Sequence, residues 1–204
     1  SSDEGFGAGD SPDRRGLELE PNSLSVRACI HTRRTVHNFL PEPPPDHIIL
    51  DAIESARWAP NHKLTQPWRF YVVGPATAAA ISELNARLVE EERGEYAAQM
   101  KLQRWLSMPS WLVVTCRKSE DYQRFMEDYA ATACAIENLL LDLWSQGIGS
   151  KWGTGRVTRH PDFFKLLGAD QDLEMVVGMF WYGYPAETPV TERLTVEDIT
   201  ARLP

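Results

Sequence analysis

The stretch EDYAATACAIENLLLDLWSQ, residues 127–146, is the longest helical pattern in the chain and contains neither proline nor glycine. Its second half is apolar almost all round, at Leu139, Leu140, Leu141, Leu143 and Trp144. A helix that is apolar on every face is typical of the buried centre of a fold rather than of its surface. We therefore predict a central helix over 127–146 that ends at Gly147. Glu127 and Asp128 are interpreted as N-terminal residues that favour the helix dipole, not as a catalytic carboxylate pair.

Three apolar segments on either side of this helix predict the strands of one sheet: WRFYVVG (68–74), SWLVVTC (110–116) and LEMVVGMFWYGY (173–184). Further helices are predicted from about Val26, from the cap Asp46, through Ile81, Leu84 and Leu88, over 95–106, over 161–167 and over 196–203. Because helices and strands mix without strict alternation, we expect an α+β fold with a central sheet.

The composition sets limits on domain organisation and partners. The 204 residues suggest a single domain over 24–204. Residues 1–23 carry six acidic side chains against two arginines, a net charge of −4, and predict a disordered acidic, glycine-rich tail. A partner-binding arm is the alternative for this tail. The total charge of −8 argues against a nucleic-acid partner, and no apolar run approaches the roughly 20 residues that span a bilayer.

The cysteines and histidines predict neither disulfides nor a metal centre. Cys29, Cys116 and Cys134 are odd in number and widely spaced, which favours unpaired thiols in a reducing compartment. The five histidines lack the spacing of a metal site. We expect a cytoplasmic protein, with an organelle as the alternative if the start at Ser1 reflects processing.

The segment RRTVHNF, residues 33–39, concentrates cations and a hydroxyl. Arg33, Arg34, Thr35 and His37 lie within five residues. Arginine guanidinium groups and a nearby hydroxyl can bind a phosphate through charge-assisted hydrogen bonds. The alternative is a solvated basic helix end, in which cations favour the C-terminal dipole.

The segment WAPNHKLTQPW, residues 58–68, is unusual for a short connection. Two prolines prevent a helix, tryptophans stand at both ends, and Asn61, His62 and Gln66 lie between them. The segment GIGSKWGTG, residues 147–155, is glycine-rich but follows a helix and matches neither a dinucleotide fingerprint nor a phosphate-binding P-loop. It predicts either a helix cap with a loose turn or a backbone that approaches a flat ligand closely beside Trp152.

Taken together, these three segments resemble the nitroreductase family of flavoproteins. An arginine pair before Thr and Phe, a capped helix, and APNHKLTQPW leading into a strand occur in the order typical of that family. AIENLLLDLWSQGIGSKWGTG and the late GMFWYGYP fit as well, and the likeness extends over about residues 26–193. The chain is most similar to the small, single-domain NAD(P)H nitroreductases of bacteria.

The resemblance implies a three-layer α+β sandwich with a central mixed sheet flanked by helices. It implies an intertwined homodimer with FMN at the interface. It also implies ping-pong hydride transfer from NAD(P)H through FMN to a quinone, nitroaromatic or similar acceptor.

Carried over by position, the resemblance places Arg33, Arg34 and Thr35 at the FMN phosphate and ribityl chain. The flavin ring would be contacted by Trp152, Gly153 and Thr154. Trp58 and His62 would reach the FMN from the partner subunit, with Gln66 nearby. Asn61 of the same loop is also expected to bind the cofactor. Arg193 would add a base near the phosphate. His37 would lie near the flavin.

Three positions depart from the family pattern. Thr35 replaces the commoner serine but keeps the hydroxyl, His37 stands where arginine or lysine is usual, and Gly153 stands where near relatives have a larger basic residue. These departures leave the flavin potential and the choice of acceptor open. His37 and the acidic tail keep open a non-enzymatic flavin-binding or interaction protein. A specialised flavin-cleaving or dehalogenating member is a further alternative, which nothing in the chain selects.

Overall fold

The computed structural model describes residues 25–187 and 189–204. The predicted tail over 1–23 therefore lies outside the described residues. In chain order, the α-helices and β-strands are α1 (Val26–Thr32), α2 (Asp46–Ala56), β1 (Trp68–Val73), α3 (Pro75–Arg93), α4 (Glu95–Leu106), β2 (Ser110–Arg117), α5 (Tyr122–Ser145), β3 (Gly149–Gly153), α6 (Pro161–Leu167) and β4 (Glu174–Gly183). Short 3₁₀ turns lie at His62–Leu64, Arg156–Arg159 and Glu197–Ile199.

The four strands form one sheet in the order β1-β2-β4-β3. Within the described residues every strand pairing is antiparallel, and the one parallel contact is an isolated bridge between Thr35 and Ser150. The α+β class is confirmed, whereas the predicted mixed sheet is not found in these strand pairings. Apolar segments reveal where strands lie, but strand direction depends on which end of the sheet each helical connection returns to.

Helices cover both faces of the sheet, which gives three layers. Alternate residues of β2 point to opposite faces, so Leu112 and Val114 enter one core while Trp111 and Val113 enter the other. The first core packs against α2 and α5 and contains, among others, Ile49, Ile136, Leu139, Leu143 and Phe180. The second packs against α3, α4 and α6 and contains, among others, Ile81, Leu84, Trp105, Phe163 and Trp181.

The central helix α5 begins five residues earlier than predicted. Asp121 is its N-cap, and the carboxylate accepts a hydrogen bond from the Arg124 N–H at 3.2 Å. The interpretation of Glu127 and Asp128 as N-terminal residues is therefore wrong. The first turn is polar on its exposed side, so its sequence resembles a loop more than a buried helix.

Three other predictions differ from the structure. Pro45, not Asp46, occupies the N-cap of α2, and Asp46 supplies charge in the first turn. The helix expected over 196–203 is reduced to the 3₁₀ turn Glu197–Ile199, because its apolar side chains are exposed and no core supports it. The segment after Gly147 is a strand, β3, rather than a loose turn.

Candidate functional site

A cavity of about 240 Å³ brings five predicted site residues together. It is lined by Arg33, Arg34, Thr35 and His37 from the segment after α1, and by Pro189, Val190, Thr191 and Arg193 from the segment after β4. The sequence places these two groups about 150 residues apart. The structure thus brings Arg193 beside the arginine segment.

The first wall of the cavity is anchored to β3. Arg33 is the C-cap of α1: its backbone N–H donates the last helical hydrogen bond to the Cys29 carbonyl, and its ψ of 133° turns the chain out of the helix. Val36 is fully buried, and its N–H donates to the Ser150 carbonyl at 3.0 Å. The bridge between Thr35 and Ser150 continues this pairing. The buried Val36 therefore fixes the positions from which the neighbouring polar side chains reach the cavity.

The second wall is held by Glu187, which the sequence analysis did not identify. The Asn38 carbonyl accepts from the Ala186 N–H at 2.9 Å. The Glu187 carboxylate then accepts hydrogen bonds from the backbone N–H groups of His37 and Asn38, at 2.5 and 3.0 Å, and from the Asn38 amide at 2.8 Å. The bond from the His37 N–H, followed by the bond from the Asn38 side chain, holds the Glu187 pKa below its usual value. A lone acid after WYGYP carries no sequence signal for this contact.

The donor set of this cavity fits a phosphate group. Among its described lining residues are three arginines, two threonines and a histidine, and none is acidic. The Arg33 Nε lies 3.7 Å from Glu137, and the Arg34 Nη1 donates to the His31 and Arg33 carbonyls at 2.9 and 2.8 Å. These contacts leave other guanidinium N–H groups available, since each guanidinium has five. Guanidinium groups bind phosphate oxygens through strong charge-assisted hydrogen bonds.

Strand β3 runs from the cavity to the predicted ring-binding residues. It is an edge strand, and Trp152 lies two residues, about 7 Å, beyond the Ser150 contact with Thr35. The Trp152 indole donates to the Val177 carbonyl at 3.0 Å and packs on Phe180 with ring centroids 5.3 Å apart. Gly178 makes room for it, since a Cβ there would lie 2.4 Å from the Trp152 Nε1. Trp152 is held in one orientation and remains partly exposed beside Gly153 and Thr154.

The glycines of 147–155 serve different purposes. Gly147 has a φ of +78°, as expected where the chain leaves α5. A Cβ at Gly149 would lie 2.6 Å from the Val36 Cγ2 and 3.1 Å from the Pro185 Cγ. The sequence predicts, as one alternative, that the backbone of this segment closely approaches a ligand. At Gly149 it instead closely approaches Val36 and Pro185 of the same chain. A Cβ at Gly153 would meet only the Met179 carbonyl oxygen, at 3.5 Å.

The loop 58–66 lies against the first half of α5 and contributes nothing to the 240 Å³ cavity within one chain. The Thr65 hydroxyl donates to the buried Asp128 carboxylate, and the Asn61 amide donates to the Thr65 hydroxyl at 3.0 Å. The Gln66 N–H donates to the Asn61 side chain at 2.6 Å. Asp128, expected near a helix end, is instead the residue that anchors this loop.

Much of the loop surface is uncovered. Trp58 is 65% exposed and Leu64 is 77% exposed, both high for large apolar side chains. Lys63, Leu64 and Gln66 have φ values of 58°, 49° and 46°, a left-handed conformation that is unfavourable for residues other than glycine. The His62 Nε2 lies 4.0 Å from Glu127, whereas Arg33 reaches Glu137, ten residues or roughly 15 Å further along α5.

Other features bear on the remaining predictions. The side chains of Cys29 and Cys116 are buried, whereas that of Cys134 is exposed. Within residues 25–187 and 189–204, no group of His, Cys, Asp and Glu side chains could hold a metal ion, and no helix is long and apolar enough to cross a bilayer. A larger cavity of about 560 Å³ between α2, α3 and α4 is mostly apolar and contains none of the predicted site residues.

Comparisons with known proteins agree with this architecture. The sequence model of the Nitroreductase family matches residues 30–184. "Putative NAD(P)H nitroreductase YfhC" of Bacillus subtilis is 32% identical over 174 residues, which cover 83% of this chain and 89% of that protein.

Solved structures give the same result. A nitroreductase-like family protein from Bacillus cereus superposes with a TM-score of 0.78 at 26% identity, covering 88% of this chain and 96% of that one. A nitroreductase with bound FMN from Bacteroides fragilis superposes with a TM-score of 0.69 at 21% identity, covering 89% and 99%, and supports the fold alone. The family match and the YfhC similarity extend over most of the chain, and the chain therefore belongs to the nitroreductase family.

Proposed function

We propose that this protein is an FMN-dependent NAD(P)H oxidoreductase that reduces a quinone, nitroaromatic or similar acceptor by a ping-pong mechanism. Membership of the nitroreductase family supports the reaction class. The observation that carries the proposal is the acid-free cavity in which Arg33, Thr35 and Arg193 meet beside β3. When bound, FMN supplies the hydride chemistry, which no amino-acid side chain provides.

The residues of the chain bind and orient the cofactor. Arg33, Arg34, Thr35 and Arg193 would hold the phosphate, with His37 at the edge of the same cavity. The unpaired outer edge of β3 from Lys151 to Gly153 would offer backbone groups to the flavin ring. Trp152 would cover an apolar part of the ring and exclude water from it.

We further propose that the site is completed by a second copy of the chain. The loop 58–66 exposes Trp58 and Leu64, and the segment after β4 exposes Val190, Leu194 and Leu203 at 92%, 72% and 89%. Apolar side chains this exposed on two separate segments favour burial against another chain. Trp58, Asn61, His62 and Gln66 would then approach the FMN held by the partner.

The experiment begins with the purified protein. The protein should be yellow, release FMN rather than FAD on denaturation, and be dimeric in solution. A colourless monomer that cannot be reconstituted with FMN would contradict the proposal. Stopped-flow mixing with NADH and NADPH then separates an enzyme from a flavin-binding protein, because the latter would retain FMN but be reduced slowly by both.

A further inference from the structure

Three positive side chains form a cluster where α4 meets β3: Lys101, Arg104 and Lys151. Lys101 and Arg104 are three residues apart and share one face of α4. Burial lowers the pKa of Lys151, and the positive charges of Arg104 and then Lys101 lower it further. The Trp181 ring that lies under Lys151 packs on Trp105 of α4 with ring centroids 5.3 Å apart, which brings Lys151 close to this helix. Within the described part of the chain, none of the three forms an ion pair with an acidic side chain.

Two of the three cations are fixed in place. The Arg104 guanidinium donates to the His37 carbonyl and, at 3.2 Å, to the Asn38 side-chain oxygen. The Lys151 Nζ lies 5.2 Å from the centroid of the Trp181 ring. Contacts with neutral groups hold these charges together without neutralising them. The mutual repulsion that remains would be relieved by an anion bound between them.

The cluster lies beside the proposed flavin site. Side chains alternate along β3, so Lys151 is on the Trp181 side of the sheet while Trp152 packs on Phe180 at the other face. The carbonyl that accepts from Arg104 belongs to His37, whose side chain lines the 240 Å³ cavity. The cations therefore flank the free edge of β3 on the side covered by α4.

We propose that Lys101, Arg104 and Lys151 bind the anionic group of the molecule that exchanges electrons with the flavin. This inference rests on the proposed function, because that function places the flavin along β3. The chemistry is a carboxylate, sulfonate or phosphate carried by a flat aromatic reactant. It could come from an acidic acceptor or from the phosphates of NAD(P)H.

The test compares ligands that differ in charge but little in shape. Calorimetry on the FMN-loaded protein gives dissociation constants for 4-nitrobenzoate and for its neutral analogue 4-nitrobenzamide, and it needs no turnover. Lys101→Gln and Lys151→Gln should each weaken 4-nitrobenzoate binding roughly three- to tenfold, the range expected for one charge-assisted contact at a partly exposed site. Binding of 4-nitrobenzamide should change by less than about twofold, because it presents no charge to a partly exposed cation.

Matched variants separate charge from structure. Lys101→Arg keeps the charge and should retain 4-nitrobenzoate affinity. Lys118→Gln removes one positive charge from a lysine that instead donates to the Gln171 carbonyl, and should leave both ligands unaffected. Stopped-flow titrations with NADPH and NADH give the second arm. Weakening of the dinucleotides alone would support the proposal and identify their phosphates as the anion.

The proposal is overturned if neither 4-nitrobenzoate nor NADPH loses affinity relative to 4-nitrobenzamide and the Lys118→Gln control. It is also overturned if charged and neutral ligands weaken equally, since that result indicates a structural role. Failure of the proposed function has a different signature, namely an FMN-loaded protein that neither NADH nor NADPH reduces. The calorimetric comparison still decides the role of the cluster in that case.

Discussion

The 240 Å³ cavity, which we propose holds the FMN phosphate, and the loop 58–66 both carry polar residues predicted to bind the cofactor. They are nevertheless built in opposite ways. The cavity is assembled within one chain, because Val36 pairs with Ser150 and Glu187 binds the backbone of 37–38. The loop is held by Asp128, by the buried Ala59 and by a hydrogen bond of 3.1 Å from the Trp58 indole to Glu54, yet Trp58 and Leu64 remain largely exposed. It also places three residues other than glycine at positive φ.

The difference shows which part of a cofactor site a chain can form alone. Backbone pairing and a buried valine are enough to place three arginines around one cavity. Burying a large apolar side chain stabilises a fold by about 1.5–3 kcal/mol. The exposed Trp58 gains little of this stabilisation within its own chain. Such a loop is expected to gain its contacts from a ligand or from a second subunit.

The largest effect is expected when the two regions are damaged in different chains. Homodimers of Arg33→Ala and of His62→Ala should each bind FMN poorly. A mixed dimer of the two should have one site with both defects and one intact site, so that about half of the wild-type flavin content returns. The measurement is the flavin content of isolated, differently tagged heterodimers.

The mixed dimer would show no recovery of flavin content if His62 does not act on the FMN of the partner subunit. If His62 serves the same chain's site as Arg33, or only stabilises its own loop, no intact site is formed. Flavin content would then equal the average of the two parents, and the proposal of a site shared between subunits would be refuted.

A second prediction concerns the phosphate cavity alone. Arg33→Ala should weaken FMN binding by about 1.5–3 kcal/mol, the usual contribution of a hydrogen bond to a charged group. This corresponds to roughly tenfold to over a hundredfold in affinity. Riboflavin, which has no phosphate, should bind the wild type and the variant almost equally in a fluorescence titration. Equal loss of both ligands would mean that Arg33 does not act on the phosphate.

The backbone approach that shapes the cavity can be tested with a pair of glycine substitutions. Gly149→Ala introduces a Cβ that would lie 2.6 Å from the Val36 Cγ2, so it should lower the free energy of unfolding by about 1–3 kcal/mol and weaken FMN binding. Gly155→Ala is the control, since nothing lies within 4 Å of its added Cβ. Denaturant unfolding and FMN titration measure the two effects. If both variants behaved identically, the backbone around Gly149 would be shown to adjust to the added Cβ without cost.

The smallest effect is expected at Glu187 and depends on pH. The hydrogen bonds from His37 and Asn38 lower the pKa of this carboxyl in the folded state below its ordinary value of 4.5. The ionised carboxylate therefore stabilises the fold fully above pH 4.5, and this stabilisation is lost as pH falls through the lower folded-state pKa. The free energy of unfolding, measured by denaturant titration, should therefore lose this contribution only below about pH 4.5. Glu187→Gln should weaken FMN binding at pH 7, by less than Arg33→Ala, and remove this acid-dependent step. An unchanged acid-dependent step in Glu187→Gln would assign the pH response to another group.

Much of the fold could be predicted from local patterns. The strands at 68–74, 110–116 and 173–184, the helix α4 and the short α6 before Gly168 are confirmed because their apolar spacing and end residues are strong local signals. Strand β3 was missed because GSKWG has little strand propensity and is stabilised by its pairing with β4. The predicted helix over 196–203 lacks the packing that would stabilise it.

By itself, the sequence determined where the cations and aromatic side chains stand along the chain, and their order was enough to indicate the nitroreductase family. Only the tertiary structure decided which of them meet. Glu187, Arg104 and Lys151 gained their importance through contacts with residues far away in sequence. Local propensity is a property of neighbouring residues, whereas a binding site depends on where the sheet and its connections bring distant backbone segments together.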